Sequence, residues 1–309
     1  MDRPFRTSPV ARSTRRTRRS SAPPAVRAPR RSDRWWGKQT YANVRPARYL
    51  PGARSPLADP DGIDFVIVRE NLEDLYVFAE GELADLAALE VTSATLRRPL
   101  HELGAGRYAL KVITEAGCER VVRFAFELAR RRLEEGHPGR VACGTKHNML
   151  PRSDGLFRDV ATGIAEAYPD IRFESFIVDD LAHRLVLQPH HFDVVVLPNL
   201  YGDVLSDAAT ALVGGLGLAP SGCYGDAYAY FESAHGTAPD IAGRGCINPT
   251  AMILSGAMML AHLGFSDSAR ALDRAVAAVY ADGRSLTPDQ GGRASTRDFC
   301  AAVAARLDA

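Results

Sequence analysis

An α/β fold with a buried sheet is predicted for the body of the chain, from about Tyr41 onward. Residues 65–68 and 194–198 are short apolar runs of the kind that form strands covered on both faces. Between and beyond them, longer segments repeat apolar residues at the spacing of an amphipathic helix. Alternation of such strands and helices is typical of a sheet with helices packed on its faces.

The predicted elements follow one another with clear start and stop signals. The first helix, residues 117–136, places apolar side chains on one face, ends in a basic turn and stops at a glycine. A short strand begins at Val141. The segments predicted as later helices are residues 153–168, the stretch that carries Asp203 and Asp207 after a glycine turn, and residues 248–264. Pro169 lies just beyond the first of these, the sequence GLGLAPSG ends the second, and Asn248 and Pro249 mark the start of the third.

Residues 1–40 differ from the rest in charge and composition. They contain twelve Lys and Arg against two acids in a chain of net charge +1, so the remaining residues carry −9. We expect a disordered Arg/Pro-rich extension, because the stretch has too few aliphatic residues to form a core. A nucleic-acid-binding arm, a transit peptide and an extension without function remain open, although the prolines weaken the second. Nucleic-acid binding is not favoured, since Phe5 is the only aromatic residue before Trp35.

The cysteines and the hydropathy pattern exclude several classes of protein. The five cysteines are odd in number, widely spaced and form no Cys-x-x-Cys pair, so neither a zinc knuckle nor a dithiol redox site is indicated. No run of 18 apolar residues exists, and the start of the chain lacks the apolar segment of a secretory signal. We therefore expect a cytoplasmic protein without a membrane span.

Two carboxylates mark the strongest candidate site. Asp203 and Asp207 follow a strand and a glycine turn, and their spacing of four places both on one face of a helix. Two such groups suit a hard divalent cation, although in isolation the pair would more often be a solvated acidic face. Asp179 is a third acid at the start of a helical stretch, where an isolated Asp is more often a helix N-cap.

Several motifs in order along the chain resemble one enzyme family. They are TYANVRPAR, FVIVRENLEDLY, GTKHNMLPRSDGLF, FDVVVLPNLYGDVLSDAATALVGGLGLAPSG and FESAHGTAPDIAGRGCINP. Together they resemble the isocitrate/3-isopropylmalate (β-decarboxylating) dehydrogenases over residues 40–265 and beyond. The resemblance implies an isopropylmalate dehydrogenase-like, two-domain α/β fold and the oxidative decarboxylation of a 2-hydroxy-3-carboxy acid.

The resemblance also implies the catalytic and metal-binding residues. By position, Asp179, Asp203 and Asp207 would hold Mg²⁺ or Mn²⁺, with Asp179 supplied by the partner subunit of a homodimer. Lys146 matches the family's base and Tyr76 its acid. Without the surrounding motifs, a surface lysine and a half-buried core tyrosine would be the commoner interpretations.

Substrate recognition is assigned to three residues by the same resemblance. Arg45 and Arg69 occupy the positions at which the family clamps substrate carboxylates, a task suited to the bidentate guanidinium group. Either arginine alone would more often be a surface ion pair. Asn148 lies where the family contacts the nicotinamide end or the substrate. The sequence RENLEDLY favours isocitrate slightly over 3-isopropylmalate.

The segment FESAHGTAPDIAGRGCINP resembles the family's adenosine-binding loop. It places His235, Gly236 and Ala238 beside the adenine ring, with Asn248 closing the site. A carboxylate at Asp240 can accept a hydrogen bond from the ribose 2′-hydroxyl and would repel a 2′-phosphate. The resemblance therefore favours NAD over NADP.

The family usually has a GDGIGP-type turn and further cofactor-domain elements ahead of the TYANVRPAR segment, and these are not in this sequence. We accordingly expect the N-terminal part of the cofactor domain to be missing. The expected division is the extension (1–40), a substrate and dimerisation domain with the metal site (41–213), and the C-terminal part of the cofactor domain (214–309). A non-catalytic partner subunit of the same family is the alternative to an active enzyme.

Overall fold

The computed structural model describes residues 39–307, so the extension predicted for residues 1–40 lies outside the described part except for its last two residues. The strands, in chain order, are β1 (Ala42–Arg48), β2 (Asp64–Glu70), β3 (Glu80–Glu82), β4 (Thr92–Ser93), β5 (Arg98–Pro99), β6 (Arg107–Ala109), β7 (Arg140–Thr145), β8 (Arg172–Ile177), β9 (Val194–Leu197), β10 (Pro220–Tyr224) and β11 (Ala229–Ser233).

The α-helices of the described part are α1 (Glu115–Glu134), α2 (Ser153–Ala165), α3 (Val178–Leu187), α4 (Asn199–Val213), α5 (Thr250–His262), α6 (Ser266–Asp282) and α7 (Thr296–Ala304). Short 3₁₀ helices include Leu75–Val77, Leu83–Leu89 and Leu216–Leu218. Within residues 39–307, no helix is both long and apolar enough to cross a membrane.

Seven strands form one mixed sheet in the order β11-β10-β1-β2-β9-β7-β8. The half built from β2, β9, β7 and β8 is parallel, whereas β1, β10 and β11 add to it in antiparallel pairs. All four residues of β9 are buried, as the apolar run predicts for a strand covered on both faces. The predicted α/β fold class is therefore confirmed.

Alternate residues of β2 supply the cores on the two faces of the sheet. Val66 and Val68 pack with residues of α1 and α2, including Phe126. Phe65 and Ile67 point to the opposite face, towards α3 and α4. A third apolar cluster lies among the C-terminal helices and is centred on the buried ring of Tyr280.

Helix starts differ by two residues from the prediction at two places, and a side-chain hydrogen bond to a backbone N–H explains each. Helix α1 begins at Glu115 rather than 117, because the side chain of Thr114 accepts the N–H of Gly117 and acts as the N-cap. Helix α5 begins at Thr250 rather than 248, because Asn248 precedes the helix and its side-chain oxygen accepts the N–H of Thr250.

The sheet does not break at the predicted boundary between residues 213 and 214. Strand β10 pairs directly with β1, with Asn43 opposite Cys223, and β11 continues the sheet beyond β10. Residues from both sides of the boundary therefore share one hydrogen-bonded sheet, and the division into two domains stays a prediction. Two small hairpin-like sheets, β3–β6 and β4–β5, lie outside this main sheet.

Candidate active site

Asp203 contacts several of the other predicted site residues, which form one cluster around it. It lies in α4, and its carboxylate accepts hydrogen bonds from the guanidinium of Arg69 at the end of β2 and, at 2.8 Å, from the hydroxyl of Tyr76. Helix α4 approaches β2 closely, since a Cβ at Gly202 would lie 2.7 Å from the side chain of Arg69. The predicted glycine turn before Asp203 is wrong, because Gly202 lies inside α4, where its lack of a side chain permits the contact between Arg69 and Asp203.

Arg45 joins the same cluster from β1. Its Nη1 donates to Ser206 Oγ at 2.7 Å and to Asp207 Oδ1 at 3.3 Å, and it lies 3.4 Å from Asp203 Oδ1. The Arg45 side chain is only 10% exposed, whereas those of Asp203 and Asp207 are 34% and 53% exposed. The structure therefore gathers both predicted substrate arginines and two of the three predicted metal ligands in one place.

A half-open cavity of about 250 Å³ adjoins these arginines. Arg45 and Arg69 line it together with Asn43, Asn71, Tyr230 and Glu232. Burial, and next the neighbouring charge of Arg45, lower the pKa of Arg69, so the two cations oppose each other's charge. Asp203 already offsets part of this repulsion, and a ligand carrying carboxylates would offset more of it.

Lys146 and Asp179 form a second, separate pair. Lys146 follows β7 and Asp179 lies in the first turn of α3 after β8, so the two parallel neighbouring strands bring them to the same edge of the sheet. Lys146 Nζ donates to Asp179 Oδ1 at 2.5 Å, and this bond lowers the pKa of Asp179. Asp179 is not an N-cap, since Ile177 holds that position. Asn148 is exposed in the turn after Lys146.

The three predicted metal ligands are not assembled within one chain. In the part of the chain that the structure describes, no group of three or more His, Cys, Asp or Glu side chains could hold a metal ion. Asp203 and Asp207 nevertheless present carboxylate oxygens to solvent beside one another, which is the donor chemistry that Mg²⁺ or Mn²⁺ requires. The donor set fits such an ion if a third carboxylate comes from another subunit.

Four of the five predicted cofactor residues line a second open pocket, of about 390 Å³. They are His235, Gly236, Ala238 and Asn248, and Asp289 lines the same pocket. Asp240 is exposed and is not among the residues that line the pocket. The mixture of apolar walls and a few polar groups fits a nucleoside.

Asn248 is held rigidly in this pocket. Its Nδ2 donates to Tyr280 Oη at 3.0 Å and to Asp289 Oδ2 at 2.9 Å, and its side chain is almost fully buried. Both amide hydrogens of Asn248 therefore bond to other residues of the protein. Its side chain can position a ligand in the pocket by van der Waals contact.

Two residues that contact the site were missed by the sequence analysis. Asn199 Oδ1 accepts from Arg69 Nε at 2.8 Å, and Ser206 accepts from Arg45. Both lie in the NLYGDVLSD motif, Asn199 as its first residue and Ser206 just before Asp207. The motif itself could therefore have indicated these two residues.

Tyr76 is in a suitable state to donate a proton. Burial, and then the hydrogen bond to Asp203, raise the pKa of its hydroxyl above the ordinary value. The hydroxyl therefore keeps its proton at neutral pH, within reach of the cluster formed by Arg69 and Asp203.

The comparisons with known proteins agree on one family. The family model described as isocitrate/isopropylmalate dehydrogenase matches residues 31–303. The 3-isopropylmalate/3-methylmalate dehydrogenase of Methanocaldococcus jannaschii is 44% identical over 268 residues, covering 87% of this chain and 74% of that protein. The isocitrate/homoisocitrate dehydrogenase of Thermus thermophilus is 44% identical over 270 residues, covering 86% of this chain and 71% of that protein.

A human protein and a solved structure extend the similarity. The mitochondrial NAD isocitrate dehydrogenase subunit alpha of Homo sapiens is 40% identical over 268 residues, covering 86% of this chain and 66% of that protein. The crystal structure of isocitrate dehydrogenase from Methylococcus capsulatus superposes with a TM-score of 0.75 at 40% identity, covering 87% of this chain and 74% of that one.

Proposed function

Since the chain belongs to the isocitrate/isopropylmalate dehydrogenase family, and is thus an oxidative decarboxylating dehydrogenase, we propose that it acts on a 2-hydroxy-3-carboxy acid with NAD and Mg²⁺ or Mn²⁺. One observation carries this proposal. Arg45 and Arg69 converge beside a cavity on the same carboxylate, Asp203, whose neighbour Asp207 faces solvent. Such a cluster of paired cations and paired carboxylates suits a substrate carboxylate bridged to a hard metal ion.

The substrate is proposed to be isocitrate, with 3-isopropylmalate next. The RENLEDLY sequence slightly favours the first. The similar proteins carry names of both kinds, so their names support the class of substrate rather than one member. The polar lining of the cavity, which includes Asn43 and Asn71 beside the arginines, is compatible with a tricarboxylate.

The active unit is proposed to be a homodimer whose site draws on both subunits. Asp203 and Asp207 gather with Tyr76, whereas Lys146 pairs with Asp179 at another place in the same chain. A twofold interface could bring the second pair of one subunit to the first cluster of its partner. Each chain would then contribute to two active sites.

The roles of the side chains follow from their chemistry. Arg45 and Arg69 bind and orient the substrate carboxylates, and Lys146 takes the proton of the C2 hydroxyl as hydride leaves C2. Mg²⁺ or Mn²⁺, held by the three aspartates, would supply Lewis-acid polarisation of the C2 oxygen, and NAD would accept the hydride. After loss of CO₂, Tyr76, whose hydroxyl is protonated at neutral pH, delivers its proton to C3.

The cofactor is proposed to sit in the pocket formed by His235, Gly236, Ala238 and Asn248. The resemblance assigns discrimination against a 2′-phosphate to Asp240, and the exposed position of this carboxylate leaves it free to act on a bound nucleotide. These features support NAD rather than NADP.

NADH formation tests the proposed function directly. The purified chain is supplied with Mn²⁺, NAD and either isocitrate or 3-isopropylmalate, and Lys146→Ala serves as the inactive control. Turnover that is lost in the control supports the proposal and identifies the substrate. A folded dimer without turnover on either acid would contradict it and would favour the role of a non-catalytic partner subunit.

A further inference from the structure

Lys111 makes a buried ion-pair network between the two clusters described above. Its Nζ lies 2.6 Å from Asp154 Oδ1 and 3.3 Å from Asp74 Oδ1, and 4.5 Å above the ring of Tyr201. The two carboxylates are fully buried and the lysine side chain is 14% exposed. No role in the proposed reaction has been assigned to any of these four residues.

The Oδ2 atom of each aspartate accepts a hydrogen bond from a backbone N–H at or near a proposed site residue. Asp154 Oδ2 accepts the N–H of Lys146 itself at 2.6 Å. Asp74 Oδ2 accepts the N–H of Leu200 at 2.8 Å, in the first turn of the helix that carries Asp203. An N–H in the first turn of a helix has no partner inside the helix, so this bond fixes the helix end.

Asp74 also connects the network to the proposed proton donor. It precedes Tyr76 by two residues and has a φ of 69°, a left-handed backbone conformation that costs a non-glycine residue free energy. Paired backbone hydrogen bonds with Val112, the neighbour of Lys111, hold it there. The segment from Asp74 to Tyr76 (the Tyr76 loop) is thus held in a strained conformation by the segment that contains Lys111.

One cation balances both carboxylates. Apart from Lys111, the Oδ1 atoms of Asp74 and Asp154 have no hydrogen-bond partner in the described residues. Burial tends to lower the pKa of Lys111, but the contacts with Asp154 and Asp74 outweigh it and raise that pKa, so the ammonium stays charged. Removing the charge would leave two buried anions unbalanced, and the bonds that they make would loosen.

We propose that Lys111 is a positioning residue. It fixes the turn after β7 that carries Lys146 (the Lys146 loop) and the Tyr76 loop relative to the first turn of α4. The inference rests on the proposed function, which gives Lys146 and Tyr76 their roles as base and acid. In the proposed homodimer these two residues serve different active sites, so each Lys111 orders parts of both sites.

Hydrogen exchange and kinetics of Lys111→Met test this role. The matched control is Arg132→Met, because Arg132 is also a buried cation, 11% exposed, and pairs with the fully buried Asp193 far from the site residues. We expect Lys111→Met to lose exchange protection at the amides of Lys146 and Leu200 and to lower kcat by about 10- to 100-fold, with KM within about threefold. Arg132→Met should instead lose protection at Gly139 and Arg140, whose N–H groups Asp193 accepts, with kcat nearly unchanged.

Lys111→Gln is used instead if the Met variant does not fold, because glutamine keeps a hydrogen-bond donor for one of the two carboxylates. It should show the same two amides losing protection and a smaller fall in kcat. Wild-type protection at both amides, or a kcat equal to that of the wild type, in a folded Lys111 variant would overturn the proposal. Failure of the wild-type chain to turn over any acid would contradict the proposed function instead, and the exchange data would still decide whether Lys111 holds the two loops.

Discussion

The hydroxyl of Tyr76 donates a 2.8 Å hydrogen bond to Asp203, so the proposed proton donor and a proposed metal ligand are in direct contact. Tyr76→Phe removes only this hydroxyl. We expect kcat to fall by about 100-fold, since general acid catalysis typically contributes a factor of that order. Steady-state NADH assays measure the change. Tyr49→Phe is the control, because the Tyr49 hydroxyl donates to Ala53 O away from the site; equal rates in both variants would remove Tyr76 from the mechanism.

Mixing two inactive variants tests the shared active site. Lys146→Ala and Asp203→Asn should each be inactive, because each lacks a group that the reaction requires. If each site takes Lys146 from one subunit and Asp203 from the other, random heterodimers contain one intact site, and the refolded mixture should recover about a quarter of the wild-type rate. A mixture as inactive as its components would show that both residues must come from the same chain.

Cofactor choice is predicted to depend on the charge at residue 240. Asp240→Lys replaces a group that repels a 2′-phosphate with one that attracts it, so the ratio of kcat/KM for NAD over NADP should fall by about 10-fold or more. Asp267→Lys makes the same charge change at a fully exposed position in α6 and should leave the ratio unaltered. An unchanged ratio in Asp240→Lys would contradict the role in cofactor choice that is assigned to Asp240.

Glu70 is predicted to make stability depend on pH. Burial raises its pKa from 4.5 to about 7, although the N–H groups of Leu72 and Glu73 stabilise the charged form. The folded state therefore binds the proton more tightly than the unfolded state. The free energy of unfolding should fall by up to about 3 kcal/mol as the pH rises from about 4.5 to about 7.

Urea denaturation at several pH values measures this loss. Glu70→Gln cannot titrate and should show a flatter profile between pH values of about 4.5 and 7. Glu119→Gln, at an exposed position paired with Arg123, is the control and should keep the wild-type profile. A wild-type profile in Glu70→Gln would show that Glu70 is ionised throughout.

Local patterns were enough to predict three of the four parallel strands, β2, β7 and β9, whereas β8 was not predicted. Residues 65–68 and 194–198 are apolar without interruption because both faces of β2 and β9 are covered, and such runs are visible in one sequence. Asp203 and Asp207 were found because both lie on one helix turn.

The antiparallel half was harder to predict because its strands do not look apolar. Strand β1 contains Pro46 and two arginines, and β10 begins with Pro220 followed by Ser and Gly, a composition typical of turns. These strands are nonetheless buried, since β1 has a partner on each side and polar groups such as Asn43 and Ser221 bond to each other.

The Lys111 network was invisible for a different reason. Its partners, Asp74 and Asp154, lie far from it in sequence on either side, and no spacing rule links them. Only the fold brings a loop, a helix start and the segment before α1 together around one ammonium group. The same holds for the separation of the Lys146 and Asp203 clusters, which depends on strand order.

The pairing of β1 with both β2 and β10 has a mechanical consequence. A cleft between two bodies joined by a flexible linker can close about a hinge, but here the connection is a continuous ladder of backbone hydrogen bonds. Swinging one half against the other would break those bonds at the centre of the sheet. A relative rotation of the two halves that keeps these bonds would require a change in sheet twist, and Arg45, at the middle of β1, would turn with it.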